Sequence, residues 1–210
     1  MFIQGLAHSG SPGFVNKTDY VKAAVQFWTL PFLCLLSGCG RIFLNRSFEG
    51  GMGDMAIKKV SIIGLGALGV LFGHHLSKRM ELGDLRIIAD RGRISRYEKE
   101  KVYSNGELCE FHYVTPEEEC SPADLLIISV KFNGLDEALH SVRKHVGENT
   151  IILSLLNGIT SESIIGHVYG MDKVLYCVAQ GMDAVKIGNK LIYENMGMLC
   201  FGSKAPGVVS

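Results

Sequence analysis

The sequence carries no excess of either charge: Lys plus Arg number 21 and Asp plus Glu number 21 among 210 residues. A protein that grips nucleic acid through bulk charge is therefore not expected. The neutrality is not a cancellation between two opposite pieces. Residues 1–54 hold four basic side chains (Lys17, Lys22, Arg41, Arg46) and three acidic ones (Asp19, Glu49, Asp54), which leaves 17 basic and 18 acidic for residues 55–210. Cys-x-x-Cys is absent, and no Cys/His group has zinc-finger spacing, so no metal site is expected. An apolar run long enough to span a membrane is also missing. The longest candidate, Ala23–Leu36, is interrupted by Gln26, Thr29 and Pro31. Internal repeats and low-complexity linkers are absent too.

What is present is a chain long enough for one domain or one and a half, with 47% apolar and 20% charged residues. That composition supports a sizeable core and argues against wholesale disorder. The six cysteines are Cys34, Cys39, Cys109, Cys120, Cys177 and Cys200. A core of this size does not depend on disulfides, and Cys177 and Cys200 sit in apolar runs as small buried hydrophobes. Free thiols in a reducing cytoplasm are expected.

The first 54 residues lack the periodicity of the rest. Lys17 and Lys22 precede the apolar run, and Leu36-Ser37-Gly38-Cys39 resembles a lipoprotein cleavage box. A second reading takes 1–54 as translated upstream sequence. Glu49-Gly50-Gly51 is encodable by a purine-rich run of the kind that binds a ribosome, a few codons before Met55, which would then be the start. A third reading takes 1–54 as a genuine ordered extension. Residues 1–54 are set outside the domain.

From Lys58 the pattern becomes regular. Lys59–Ile63 is a short β-branched run, read as a buried strand. Gly64-Leu65-Gly66-Ala67-Leu68-Gly69 follows it directly. Leu68, Leu71, Phe72 and Leu76 then recur at helical spacing, ending near Lys78-Arg79. Leu85–Ala89 is a second strand. A strand, glycine turn, helix and strand in so short a span make one βαβ unit. Further on, Arg91–Lys101 reads as a helix and Val102–Tyr113 as a hairpin around Asn105-Gly106. Leu125–Val130, Thr150–Leu156 and Lys173–Ala179 read as strands. Leu135–Val146 and Thr160–Val168 read as helices, the latter capped by Thr160 or Ser161. Ala184–Ile187 and Lys190–Tyr193 read as a closing hairpin around Gly188-Asn189. The alternation predicts an α/β fold of Rossmann type, a doubly wound and mostly parallel sheet over residues 55–204.

The glycine loop has the context that gives GxGxxG its value: it follows a strand and opens a helix. Gly64 permits the tight turn, Gly66 leaves room for a pyrophosphate against the backbone, and Gly69 lets helix and strand approach. The free N–H groups of the helix start favour phosphate. Leu65, Ala67 and Leu68 complete the loop. Asp90, at the end of the second strand, suits a ribose diol and hence NAD. Arg91, Arg93 and Arg96 follow it and suit the 2′-phosphate of NADP, which tips the expectation to NADPH. Lys131 and Asn157-Gly158 stand after two other strands, on the carboxyl edge where such folds bind ligands. Asn157 is also an ordinary turn former.

Gly64–Gly69, Ser129-Val130-Lys131, Leu155-Leu156-Asn157-Gly158 and the hairpin after Gln180-Gly181 together resemble the ketopantoate reductase family, from Lys58 to Gly202. The resemblance implies NADPH-dependent reduction of 2-dehydropantoate to pantoate, in pantothenate and coenzyme A biosynthesis. It implies that Lys131 and Asn157 contact the nicotinamide end and a small 2-keto acid substrate. Nucleic acid and membrane partners are not implied, and a homodimer is a candidate assembly for the full-length protein. Members of the family continue into a helical second domain that supplies the main catalytic Lys and a substrate-anchoring acid. No residue here matches those two, and residues 205–210 are read as the start of that domain, so this chain is expected to be poorly active alone. Two rival readings are a stand-alone NAD(P)-binding or redox-sensing module, and a lipid-anchored binding protein.

Overall fold

The structure, a computed structural model, describes residues 42–48, 51–158 and 160–202, with side chains from residue 57 onward. The apolar run Ala23–Leu36, the box ending at Cys39 and residues 205–210 lie outside the described residues. Two strands that the sequence did not suggest, β1 (Ile42–Phe48) and β2 (Gly51–Ile57), pair antiparallel as a sheet of their own. β2 crosses position 55, where the sequence reading drew its boundary.

The main sheet begins with β3 (Val60–Ile63), α1 (Ala67–Ser77), β4 (Leu85–Ile88) and α2 (Arg91–Glu100). Next come β5 (Tyr103–Ser104), β6 (Glu107–Leu108), β7 (His112–Val114) and β8 (Leu125–Ile128). Then follow α3 (Leu135–Ser141), β9 (Ile151–Ser154), α4 (Thr160–Tyr169), β10 (Val174–Met182), β11 (Val185–Ile187), β12 (Lys190–Ile192) and β13 (Met196–Gly202). Seven strands form the main sheet in the order β13-β10-β9-β8-β3-β4-β7, all parallel except β13. From β3 the chain winds outward through β4 to β7. It then returns to β8 and winds the other way. The doubly wound α/β fold expected from the alternation is therefore present, and its direction reverses between β3 and β8.

The strands at the centre are short because both their faces are covered. Every residue of β3, β4, β8 and β9 is buried. Ile62, Ile87, Ile127 and Leu153 pack with Val70 and Leu71 of α1 on one face. Ile63, Ile88, Leu126, Ile128 and Ile152 pack with Leu135 and Leu139 of α3 and Ile165 of α4 on the other. Each such side chain stabilises the fold by about 1.5–3 kcal/mol when fully removed from water.

Four expectations need correction. Val102–Tyr113 is not one hairpin. Asn105 and Gly106, both at positive φ (48° and 84°), close only the β5–β6 turn, while His112–Val114 leaves it to extend the main sheet beside β4. The β11–β12 hairpin does not close the main sheet. It joins β5 and β6 in a second sheet of order β11-β12-β5-β6, which packs on α1 through buried Leu191. The main sheet is closed instead by β13, antiparallel to β10, a strand hidden in the sequence by its glycines. Finally, α3 stops at Ser141, and a 3₁₀ turn over Arg143–His145 follows where one longer helix was expected.

The amino edge of the sheet holds a polar cluster. Ser61 and Arg86 are neighbours on adjacent strands, and Ser61 Oγ lies 3.0 Å from Nδ1 of fully buried His145. Burial, with the Arg86 charge beside it, pushes His145 down to about 4, and half-buried His75 on α1 is depressed to about 4 by burial and by Arg79. The unfolded chain takes up these protons near pH 6.5 and the folded chain resists them, so their contribution is complete above pH 6.5 and shrinks as pH falls toward 4. We expect the unfolding free energy from urea titration to fall on acidification through this window, by up to about 1.4 kcal/mol per pH unit for buried His145 and by less for half-buried His75. His145→Gln should remove one histidine's share of that slope. Urea titrations at pH 7, 5.5 and 4.5 giving equal slopes for both proteins would contradict the assignment.

Candidate functional site

The strand order reverses between β3 and β8, and the glycine loop follows β3 at that reversal, the carboxyl-edge position where open α/β sheets bind ligands. Ser129 N–H donates to Ile63 O at 2.9 Å, which holds the two strand ends together. Gly64 then turns at φ +94°, and a Cβ there would lie 2.4 Å from Ser129 O. A Cβ on Gly69 would lie 1.9 Å from Gly64 O, so α1 can meet the loop only through glycine. Gly66 differs. It precedes α1 in extended conformation (φ −70°), and the nearest atom to a Cβ there is Ser129 O at 3.7 Å. No protein group needs glycine at that point, and the space beside it is the cradle a ligand backbone contact would fill. Leu65 is buried while Ala67 and Leu68 are partly buried, so the loop presents backbone, with no acidic residue in the first turn of α1.

Strand register levels the rest of the edge. Ile88, Ile63, Ile128 and Ser154 are partners across four adjacent parallel strands. Gly66, Arg91, Lys131 and Asn157 each stand three residues beyond that row in sequence, so all four follow the carboxyl ends of adjacent strands. Arg91, Lys131 and Asn157 are exposed. Lys131 follows an extended Ser129-Val130 and starts the 3₁₀ turn Phe132–Gly134. Asn157 sits in the turn after β9, where Gly158 adopts φ +93°.

Asp90 has a local task. Its Oδ1 accepts from Arg93 N at 2.8 Å as the cap of α2, and its Oδ2 pairs with Arg93 Nε at 3.1 Å. Arg93 is thereby committed to Asp90, and Arg96 lies over the Tyr97 ring, its charge 5.4 Å from the centroid. Of the three arginines after Asp90, Arg91 is the one closest in sequence to the end of β4.

Sequence reasoning missed three features. Phe132 is 54% exposed next to Lys131 in sequence, an apolar ring that a polar loop does not require. Ser129 contributes its carbonyl and hydroxyl to the glycine contacts. Ser161 does not cap α4. It lies buried in the first turn, accepts from Ser154 Oγ at 2.9 Å and donates to Glu162 Oε2 at 2.8 Å. The signal for this chain was three polar residues set among the apolar ones of TIILSLL and TSESII. Among the described residues no group of three or more His, Cys, Asp or Glu is placed to hold a metal ion, and no helix is long and apolar enough to cross a membrane.

Strand order, the glycine loop at the reversal and the levelled edge define a dinucleotide-binding type of α/β domain. The chain belongs to the ketopantoate reductase family: the family model described as Ketopantoate reductase PanE/ApbA matches residues 60–204. A 2-dehydropantoate 2-reductase of Aquifex aeolicus is 28% identical over 136 residues, 65% of this chain and 41% of that protein. The crystal structure of 2-dehydropantoate 2-reductase from Geobacter metallireducens superposes with a TM-score of 0.58 at 24% identity, over 69% of this chain and 49% of that one. A D-mandelate dehydrogenase, solved as a ternary structure with NADH and anilino(oxo)acetate, superposes with a TM-score of 0.54 at 26% identity, over 65% and 45%. The chain thus spans less than half the length of these relatives.

The two inner glycines separate packing from ligand room. Gly69→Ala should destabilise by more than about 3 kcal/mol or abolish folding, because backbone must move. Gly66→Ala should stay within about 1 kcal/mol of the parent. Thermal unfolding of the pair is the check, and equal losses would refute the distinction.

Proposed function

We propose that residues 58–202 are the cofactor-binding part of an NADPH-dependent reductase of small 2-keto acids, with 2-dehydropantoate as the substrate favoured by the family. The observation that supports this reading is that Gly66, Arg91, Lys131 and Asn157 each follow the carboxyl end of one of four adjacent parallel strands, past the row Ile88, Ile63, Ile128 and Ser154. Bound there, NADPH supplies a hydride. The chain's own groups do the holding. Loop amides and the N-terminus of α1 meet the pyrophosphate. Arg91 meets the 2′-phosphate. The Lys131 ammonium and the Asn157 amide face the nicotinamide end and an anionic substrate. Such a reaction also needs a proton delivered to the forming alkoxide. The family resemblance gives that step to a Lys and an acid that no described residue matches, so the proposal for residues 58–202 is cofactor binding.

The choice of NADPH follows from Asp90. Both its carboxylate oxygens are taken up by Arg93, which leaves it poorly placed to accept a ribose diol. The competing reading, NADH, is favoured by the presence of that same acid at the strand end and by the NADH named in the mandelate dehydrogenase structure. A module that binds NAD(P) without catalysis is the reading left if binding is found and turnover is absent even with the relatives' second domain supplied.

Fluorescence or calorimetric titration with each cofactor decides. NADPH should bind more tightly than NADH. Arg91→Ala should weaken NADPH about tenfold, the loss of one charge-assisted contact, and leave NADH unchanged. No NADPH binding at millimolar concentration rejects the proposal. Equal weakening of both cofactors rejects Arg91 as the 2′-phosphate contact.

A further inference from the structure

Asn157 lies on an exposed turn, yet the base of that turn is among the most buried polar ground in the molecule. Ser154, the last residue of β9, is 0% exposed, Ser161 1% and Glu162 0%. Leu156 N–H donates to Ser154 Oγ at 3.4 Å, Ser154 Oγ donates to Ser161 Oγ at 2.9 Å, and Ser161 Oγ donates to Glu162 Oε2 at 2.8 Å. All three donors point the same way and the chain ends on a carboxyl group, so each bond polarises the next. Leu155 N–H is tied separately to Ile128 O at 2.9 Å. The entry and exit of the turn are thereby fastened to each other and to β8, the strand that leads to Lys131.

Packing alone gives no reason for this arrangement. Ile151–Leu153 show that β9 fills its surroundings with apolar side chains, and a buried carboxyl costs more than an apolar residue of like volume. The first turn of α4 favours an acid at Glu162, which lowers that cost without explaining the two serines.

We propose that Glu162, acting through Ser161 and Ser154, is a positioning residue that fixes the Asn157 turn relative to Lys131, and with it the nicotinamide end of the cofactor. The proposal rests on the role given above to Asn157. It makes a separable claim: the chain of hydroxyls serves one half of the dinucleotide only. The adenine half, held at the glycine loop and Arg91 across β3 and β4, does not touch this turn.

The test uses the whole 210-residue chain and two probes, NADPH and adenosine 2′,5′-bisphosphate, which carries the adenine half alone. Ser161→Ala breaks the chain in its middle. It should weaken NADPH about tenfold and leave the bisphosphate unchanged, and Ser161→Thr, which restores a hydroxyl, should recover most of the loss. If Ser161→Ala does not fold, Glu162→Gln, which keeps the shape and removes the acid, is read in the same way. Unchanged NADPH affinity, or parallel loss of both probes, overturns the proposal while the cofactor-domain reading stands. Failure of the unaltered chain to bind either probe overturns both.

Discussion

One close approach organises this molecule. The carbonyl of Gly64 lies where a Cβ on Gly69 would be, and the carbonyl of Ser129 lies where a Cβ on Gly64 would be. Two strands and a helix therefore meet at backbone distance, with no side chain between them. Only glycine satisfies both positions, and the positive φ of Gly64 adds a conformational reason to the steric one. The helix α1 starts three residues after Gly64, and Lys131 follows two residues after Ser129. Gly66 has no such obligation to the protein, and this is what singles it out as a position kept open for something else.

Parallel register carries that geometry outward. In a parallel sheet each strand leaves the edge at a level set by its neighbour's hydrogen bonds. The apolar residues of β3, β4, β8 and β9 pack on both faces of the sheet and hold Ile88, Ile63, Ile128 and Ser154 in one row. The core thus sets where the four strands end, and Gly66, Arg91, Lys131 and Asn157 each follow one of those ends.

The parts legible in the sequence were those where local and global demands agree. Buried parallel strands are short apolar runs, and the loop carries its glycines at the spacing that the turn requires. The small sheet was not legible, because two hairpins distant in sequence build it, and Leu191 is the one apolar residue of its four strands that is buried in the core. β13 escaped notice because Gly197 and Gly202 break its apolar pattern, and its partner β10 was cut short for the same reason. For the candidate site the sequence shows residue types, such as Lys131 after an apolar strand, but not their neighbours. Asp90 is singled out at the strand end, and Arg93 on both its oxygens is a contact that spacing does not reveal. Ser161 reads as a helix cap until Ser154 and Glu162 are seen on either side of it.

Overall neutrality now has a structural counterpart. A chain with balanced charge can hold a multiply charged anion only by placing its positive groups, and the two edges of the sheet show the alternatives. At the amino edge Arg86 is 5% exposed, gives one N–H to the carbonyl of Ser121 and leaves Nε and Nη2 without partners. That cation is closed in, and it adds to the burial that lowers the His145 pKa. At the carboxyl edge Arg91 and Lys131 are exposed and flank a helix start with no acid in its first turn. A buried guanidinium acts over a few ångströms on its own surroundings. The two edges differ in exposure: the amino-edge guanidinium is enclosed, and the two carboxyl-edge cations stand open to solvent.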